Sequence, residues 1–300
     1  MRARGLKAGQ PVSVVAVSGP VDRARLDAGI REIASWGHPV LRGRSLLRSH
    51  GYLAGKDAAR AADLNAAIRD PGNPAIFFAR GGWGAARILD RIDLDALRRR
   101  DRVLLGFSDL TTLFMALQRP GRPYPYRYGP TVAQLGDAKA WHRPSLVEAL
   151  WLRSDRIAHP LGRSRALRGG RAEGKLIGGC LSLLVGLLGT PWDVPWEGCI
   201  LFWEDVNEEP YAIDRMLTSL RLAGKLRNLA GMIVGRLAGC EPRKGHPSLR
   251  MREIVADAVA GERYPVVMGF PAGHVASKRT LLMGAPARLD TGQRSLVIEP

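Results

Sequence analysis

The feature that most constrains this chain is the exchange, along its first 117 residues, of short apolar runs with amphipathic ones. "VSVVAVSG" (12–19), "AIFFAR" (75–80) and "VLLG" (103–106) have the length of strands and no helical period, which suits strands buried on both faces. "HPVLRG" (38–43) reads as a further, shorter strand. Between them, residues 22–37 read as a helix stopped at Gly37, and residues 57–70 as an Ala-rich helix stopped by "PGNP". After "VLLG", Leu110, Leu113, Phe114 and Leu117 fall at i, i+3, i+4 and i+7, one face of another helix. This alternation predicts an α/β fold whose N-terminal part is a doubly wound parallel sheet, Rossmann-like or flavodoxin-like. In such sheets ligands bind outside the C-terminal ends of the strands.

The pattern loosens from about 118 to 165. "QRPGRPYPYRYGP" is rich in Pro, Gly and Tyr, and the chain then reaches "HPLGRSRALRGG" without a strong strand. We therefore expect an N-terminal domain at 1–130, a connecting segment at 131–170 and a C-terminal α/β domain at 171–300, with the active site at the domain interface. The second domain has a strand in "CILFWED" (199–205), a helix closed by Gly224, and buried strands in "LAGMIVGRL" and "YPVVMGF". Three cysteines, Cys180, Cys199 and Cys240, form no CxxC pair, which argues against a disulfide framework and a structural zinc site. No uninterrupted apolar leader and no run long enough to span a bilayer are present. The expectation is a soluble cytoplasmic protein that does not engage the membrane.

A net charge of +17 and a pI near 10.7 raise the question of nucleic acid or acidic ligands. Arg is scattered, however, with short clusters only at 97–102 and 163–171, and no aromatic-interleaved RNA motif or zinc-finger spacing accompanies them. Most of this charge reads as solvated helix faces, and no specific nucleic acid is expected. There is no HExxH, no carboxylate–histidine cluster with ligand spacing and no P-loop, and "RGGWGAAR" is not G-x-G-x-x-G. Chemistry here would use neither metal nor cofactor.

Within "VLLGFSDLTTLFMAL", Ser108 sits on a tight corner between strand and helix. A Ser there commonly caps the helix by accepting a backbone N–H. The same layout resembles a nucleophile elbow, although Leu110 replaces the second Gly of G-x-S-x-G. A nucleophile needs a base, an orienting group and an oxyanion hole. Of the six histidines, His38, His50, His142, His159 and His246 lie in polar or Pro/Gly-flanked loops, whereas His274 follows a strand and the turn "PAG". Glu204 also ends a strand, and "RGGWG" (80–84) follows one and could present backbone N–H groups to an anion. A loop histidine, a strand-exit carboxylate and a plain tight turn account for these residues as well.

Taken in chain order, these pieces resemble the LD-carboxypeptidase family, which includes murein tetrapeptide carboxypeptidases and microcin C immunity peptidases. The likeness runs almost end to end. "GQPVSVVAVSGP" resembles the opening strand, "ARGGWGAARILDRID" the Arg-Gly-Gly-Tyr-Gly block and "LLGFSDLTTLFMAL" the Gly-Tyr-Ser-Asp nucleophile turn. "LIGGCLSLLVGLLGTPWD" resembles Gly-Gly-Asn-Leu…Gly-Thr-Pro, "ILFWEDVNEEPYAIDRML" the Leu-Glu-Asp block, and "GFPAGHVASKRTLLMGAPARLD" the terminal Gly-His segment. The resemblance implies a triad of Ser108 as nucleophile, His274 as general base and Glu204 as orienting carboxylate. It also implies an oxyanion hole of backbone N–H groups near Gly82 and Asp109, with Arg80, Gly81, Trp83 and Trp203 toward the substrate. The activity implied is a homodimeric serine peptidase that releases D-Ala from cytoplasmic murein tetrapeptide during cell-wall recycling. Its rivals are the same triad acting on a peptidyl- or aminoacyl-adenylate, a basic nucleic-acid-binding protein, and a non-catalytic binder of murein fragments. Three residues depart from the family pattern: Trp83 replaces Tyr, Cys180 replaces Asn, and Tyr128 replaces the His often found before Gly-Pro.

Scattered arginines should give only weak, sequence-indifferent DNA binding, lost as salt rises from about 50 to about 150 mM. Fluorescence anisotropy with two unrelated duplexes checks this; nanomolar affinity for one of them at the higher salt would favour the nucleic-acid binder.

Overall fold

The four-residue apolar runs become strands because both of their faces are covered. The computed structural model describes residues 3–118 and 122–300, and in it β1 (Val12–Val15), β3 (Ala75–Phe78) and β4 (Val103–Gly106) are buried at every position. With β2 (Val40–Arg42) and β5 (Tyr126–Tyr128) they form a parallel sheet in the order 2-1-3-4-5, the flavodoxin-like arrangement. Residues 119–121 of the Pro- and Gly-rich stretch lie outside the described residues.

Side chains alternate across this sheet. Val12, Val14, Phe77 and Leu105 pack with helix α1 (Arg23–Ser35), while Val15, Ile76, Phe78 and Leu104 pack with α2 (Asp57–Arg69) and α4 (Leu110–Ala116). A short α3 (Leu94–Arg98) lies between β3 and β4 in the chain. Helix α1 starts where Asp22 Oδ1 accepts the Arg25 N–H at 2.9 Å, and it buries Leu26, Ile30 and Ile33 on one stripe.

The connecting segment expected at 131–170 is instead built into both halves. Helices α5 (Val132–Leu135) and α6 (Arg143–Trp151) cover the α1 face of the first sheet. Strands β6 (Ile157–Pro160) and β7 (Arg165–Arg168) form the two outer edges of a second, eight-stranded sheet. Edge strands need no continuous apolar run: β6 alternates buried and exposed residues, and β7 has none buried. Within the last part of the chain, β12 (Leu281–Met283) returns to the first sheet and pairs antiparallel with β5.

The centre of the second sheet is parallel: β8 (Arg171–Cys180), β9 (Cys199–Glu204), β10 (Gly231–Gly235) and β11 (Val266–Phe270). Strands β13 (Pro286–Asp290) and β14 (Ser295–Ile298) extend it antiparallel on the β8 side. Helices α7 (Leu181–Val185), α8 (Pro210–Leu222) and α9 (Met251–Ala258) make the crossovers. Among the described residues no helix is long and apolar enough to cross a membrane.

Part of the positive charge lies inside the fold rather than on solvated faces. Arg60, Arg98, Arg102 and Arg127 are buried, and their guanidinium groups donate to backbone carbonyls. Arg102 binds the Ile68, Asp70 and Asn73 oxygens at the end of α2, and Arg127 binds Ala149 near the end of α6. The last carbonyls of a helix have no intrahelical donor, so a multi-donor cation is well matched to them. Burial pulls Arg127 down to about 10.

Helices α1 and α5 cross so closely at Gly29 that a Cβ there would fall 1.8 Å from the Val132 carbonyl oxygen and 2.7 Å from its carbon. Both atoms are backbone and cannot rotate aside. Gly29→Ala should therefore destabilise the protein by about 2–3 kcal/mol. Denaturant melts that show a loss below about 0.5 kcal/mol would mean the two helices separate freely, against close packing.

Candidate active site

Strand β4 ends at Gly106, and two residues later the chain turns sharply into α4. Ser108 has φ 65°, an uncommon state for a residue with a side chain, costing about 1–3 kcal/mol where the surroundings hold it. Asp109, not Ser108, occupies the cap position of α4, and the Ser108 carbonyl accepts the Thr111 N–H at 2.9 Å. The Ser108 hydroxyl is thereby turned away from the helix. It stands 3.0 Å from Nε2 of His274.

His274 follows β11 through the turn 271–273, and its Nδ1 lies 2.8 Å from Oε2 of Glu204. Glu204 ends β9 and is fully buried. A carboxylate can only accept, so Nδ1 carries the proton and Nε2 is left to accept from Ser108. The same Oε2 takes the backbone N–H of His274 at 3.1 Å, and Oε1 takes the Tyr128 hydroxyl at 2.6 Å. Three donors thus meet a carboxylate that would otherwise be prohibitive to bury. The approach depends on Gly273, where φ is +104° and a Cβ would stand 2.5 Å from Oε2.

Tyr128 belongs to this group and is not among the site residues expected from the sequence, where it stands out only as a departure before "GP". Its position at the end of β5, a strand adjacent to β4, is the available signal. Its oxygen also accepts the Ser108 N–H at 3.3 Å, so one phenol touches both the Ser108 turn and the Glu204 carboxylate. Burial, reinforced by the Glu204 charge, holds the Tyr128 hydroxyl protonated well above the usual phenol range.

The loop after β3 is pinned against this turn. Gly19 N–H donates to Gly81 O at 3.1 Å, Arg60 donates to Gly84 O at 2.9 Å, and Ala85 N–H donates to Asp109 Oδ2 at 2.8 Å. Burial pushes the Asp109 carboxyl above its usual range, with the Ala85 hydrogen bond opposing. A Cβ on Gly81 would lie 2.9 Å from that of Ser108, so the loop backbone runs directly over the Ser108 turn. Among the described residues the N–H groups of Gly82 and Asp109 have no acceptor.

The remaining expected positions divide. Trp83 is 46% exposed beside Gly82. Arg80 is exposed too, with its guanidinium donating to Pro20 O at 2.7 Å. Trp203 does not face a substrate: it is wholly buried, because neighbouring residues in a strand point to opposite faces and Glu204 takes the site-facing one. Cys180, level with Glu204 on the neighbouring strand, donates its N–H into helix α4 at Thr111 Oγ1, 2.9 Å. Its thiol, pushed up by burial and by Glu204 and Asp205, stays protonated. Lys278 is also buried; its ammonium donates to Ala140 O at 2.9 Å and lies 5.2 Å from the Phe107 ring, which packs on His274. Burial pulls Lys278 down to about 8, against the pull of Glu204 and Asp137. Among the described residues no group of three or more His, Cys, Asp or Glu could hold a metal ion.

The arrangement is a hydroxyl, a base and an oriented carboxylate in one hydrogen-bonded line, with unused backbone donors beside the hydroxyl. Known proteins share both the sequence blocks and the fold that build it. Residues 12–124 match the LD-carboxypeptidase N-terminal domain and residues 173–289 the LD-carboxypeptidase C-terminal domain. A probable murein peptide carboxypeptidase of Bacillus subtilis is 34% identical over 99% of this chain and 94% of its own length. The crystal structure of muramoyltetrapeptide carboxypeptidase from Oxalobacter formigenes superposes with a TM-score of 0.85 at 26% identity, covering 97% of this chain and 99% of that one. The microcin C7 self immunity protein MccF shares the fold, with a TM-score of 0.89 at 22% identity over 99% of this chain and 98% of its own. With both domains matched in order and a relative aligned almost end to end, the chain belongs to the LD-carboxypeptidase family.

Proposed function

We propose that this protein is a serine LD-carboxypeptidase that removes the terminal D-Ala from murein tetrapeptide in the cytoplasm. The observation that carries the reading is the continuous line from Ser108 Oγ through His274 to Glu204, at 3.0 and 2.8 Å. The substrate class is supported by the murein peptide relatives, aligned over nearly the whole chain.

In this mechanism the Ser108 oxygen attacks the carbonyl carbon of the L-configured residue while His274 Nε2 takes its proton. The carbonyl oxygen becomes an oxyanion and is met by the unused N–H groups of Asp109 and Gly82. One follows the nucleophile and the other comes from the adjoining loop, as in other strand–turn–helix nucleophile sites. Glu204 holds the imidazole in the productive tautomer and stabilises its charged form. His274 then returns the proton to the D-Ala nitrogen as the C–N bond breaks. Water, deprotonated by the same Nε2, releases the acyl group from Ser108. Tyr128 positions Glu204 and the Ser108 amide and exchanges no proton, since it remains a phenol throughout.

Ser108→Ala should lower kcat/KM by at least about 10³-fold. Its melting temperature should hold, because the hydroxyl caps no helix and the strained φ stays the same. The specificity test pairs murein tetrapeptides ending in L-Lys-D-Ala and L-Lys-L-Ala. Inverting the terminal centre tilts the scissile carbonyl out of the hole, and a displacement of about 1 Å costs about 10²-fold. Released alanine reads the result: equal rates would sink the LD assignment, and cleavage of an aminoacyl-sulfamoyl adenylate alone would favour the immunity-type reaction.

Tyr128→Phe leaves one oxygen of the buried Glu204 without its donor, a cost of about 1–3 kcal/mol. If that cost falls on the transition state, kcat should drop roughly tenfold to a hundredfold with KM little changed. Steady-state kinetics beside a denaturant melt check it; wild-type kcat would remove Tyr128 from the positioning role.

A further inference from the structure

The C-terminal edge of the second sheet carries more than Glu204 and His274. Beyond them, the ends of β10 and β11, the start of β7 and the first turn of α9 enclose an open cavity of about 530 Å³, a size typical of ligand sites. Arg163, Arg165, Arg236 and Arg252 line it, and no Asp or Glu does. Leu167, Met268 and Val275 supply apolar surface between them. Val275 is the residue after His274. Gly235, also at the wall, lies so close to the triad carboxylate that a Cβ there would stand 2.7 Å from the Glu204 Cβ.

Elsewhere in the fold arginines find partners: Arg60 and Arg87 share Asp57, and Arg171 holds Asp290. Among the described residues none of the four cavity arginines makes a side-chain hydrogen bond or ion pair. Four like charges around one concavity repel each other, and low-dielectric walls focus their field inward. Arg252 adds a cation to the first turn of a helix, where the dipole favours the opposite sign. A bound anion relieves both effects, and planar guanidinium forks match carboxylates in pairs.

Position decides which part of a substrate such an anion belongs to. Gly235 beside Glu204 and Val275 beside His274 place the cavity wall next to these two residues, on the second sheet's side of Ser108. A leaving alanine brings a single carboxylate, too few for four arginines without partners among the described residues. We propose that the cavity is the subsite for the acidic acyl-side portion of the peptide, a group bearing at least two carboxylates. This rests on the peptidase reading above and extends it to the far end of the substrate.

The test compares two murein tetrapeptides, one with its acyl-side carboxylates free and one with them amidated, both keeping the terminal D-Ala carboxylate. Wild type should prefer the acidic peptide by roughly tenfold or more in kcat/KM, through KM. The exposed-site double variant Arg163→Ala/Arg236→Ala should reduce that preference to within about twofold. No preference in wild type, or the same preference in the double variant, overturns the subsite. Inorganic pyrophosphate should inhibit wild type competitively and the double variant far less; non-competitive inhibition would put the cavity outside the substrate path and overturn the proposal. Calorimetry of the peptides with Ser108→Ala reads binding without turnover. Arginine-dependent binding of the acidic peptide there, with neither peptide cleaved by wild type, would overturn the peptidase reading and keep the anion site. Cleavage of both peptides without arginine dependence would do the reverse.

Discussion

A carboxylate with no exposed surface is tolerable only if every oxygen is met by a donor, and the two halves of this protein are assembled around meeting that condition at Glu204. The donors come from opposite sides. Tyr128 ends β5 of the first sheet, and His274 leaves β11 of the second. Pulling the sheets apart would strand Glu204 without Tyr128 and would separate His274 from Ser108. The interaction that orders the site is therefore also an interaction between the sheets. The glycines around it answer the same demand, since side chains at 235 and 273 would occupy space the Glu204 side chain fills, at its Cβ and its carboxylate respectively.

Topology sets that meeting point before any side chain is chosen. In both sheets the central strands are parallel, so their C-terminal ends lie on one edge, where loops emerge and ligands bind. Ser108 leaves β4, the Gly81–Gly82 loop leaves β3, Glu204 ends β9 and His274 follows β11. Strand β12 closes the arrangement by carrying the chain from His274 back into the first sheet beside β5, the strand that ends in Tyr128. The backbone on either side of the base is thus fixed in different sheets. Ser108 is held at positive φ by anchors on its own backbone, its N–H meeting the Tyr128 hydroxyl and its carbonyl the Thr111 N–H.

How each residue is buried decides how much of it can be read from the sequence. Central strands covered on both faces are apolar at nearly every position, and β1, β3, β4 and β9 are visible for that reason. Ser108, Glu204 and His274 are legible as residues at or shortly after the ends of apolar runs. Edge strands carry no such demand, which hides β6 and β7 inside an apparent connection and leaves the return of β12 unforeseen. Tyr128 reads as one more aromatic in a Pro- and Tyr-rich stretch, and only the third dimension brings it to Glu204. Trp203 shows the opposite error: adjacency in sequence to Glu204 suggests shared function, while the strand's alternation turns the indole into the core.

Charge is where composition and structure diverge most. A total of +17 reads as a signal to polyanions, yet Arg102 and Arg127 are spent on orphaned helix carbonyls and Arg60 on the loop that overlies the Ser108 turn. These cations stabilise the fold from within and project little field into solvent. Others, such as Arg171 and Arg243, face carboxylates on the surface, where screening makes the pairs nearly neutral in effect. Neither group could recruit a ligand. Long-range attraction is left to cations that remain unpaired and share a concavity, since only there do their fields add. The distribution of arginine, more than its abundance, carries the functional information, and a count from the sequence cannot distinguish a guanidinium capping a helix from one waiting for an anion.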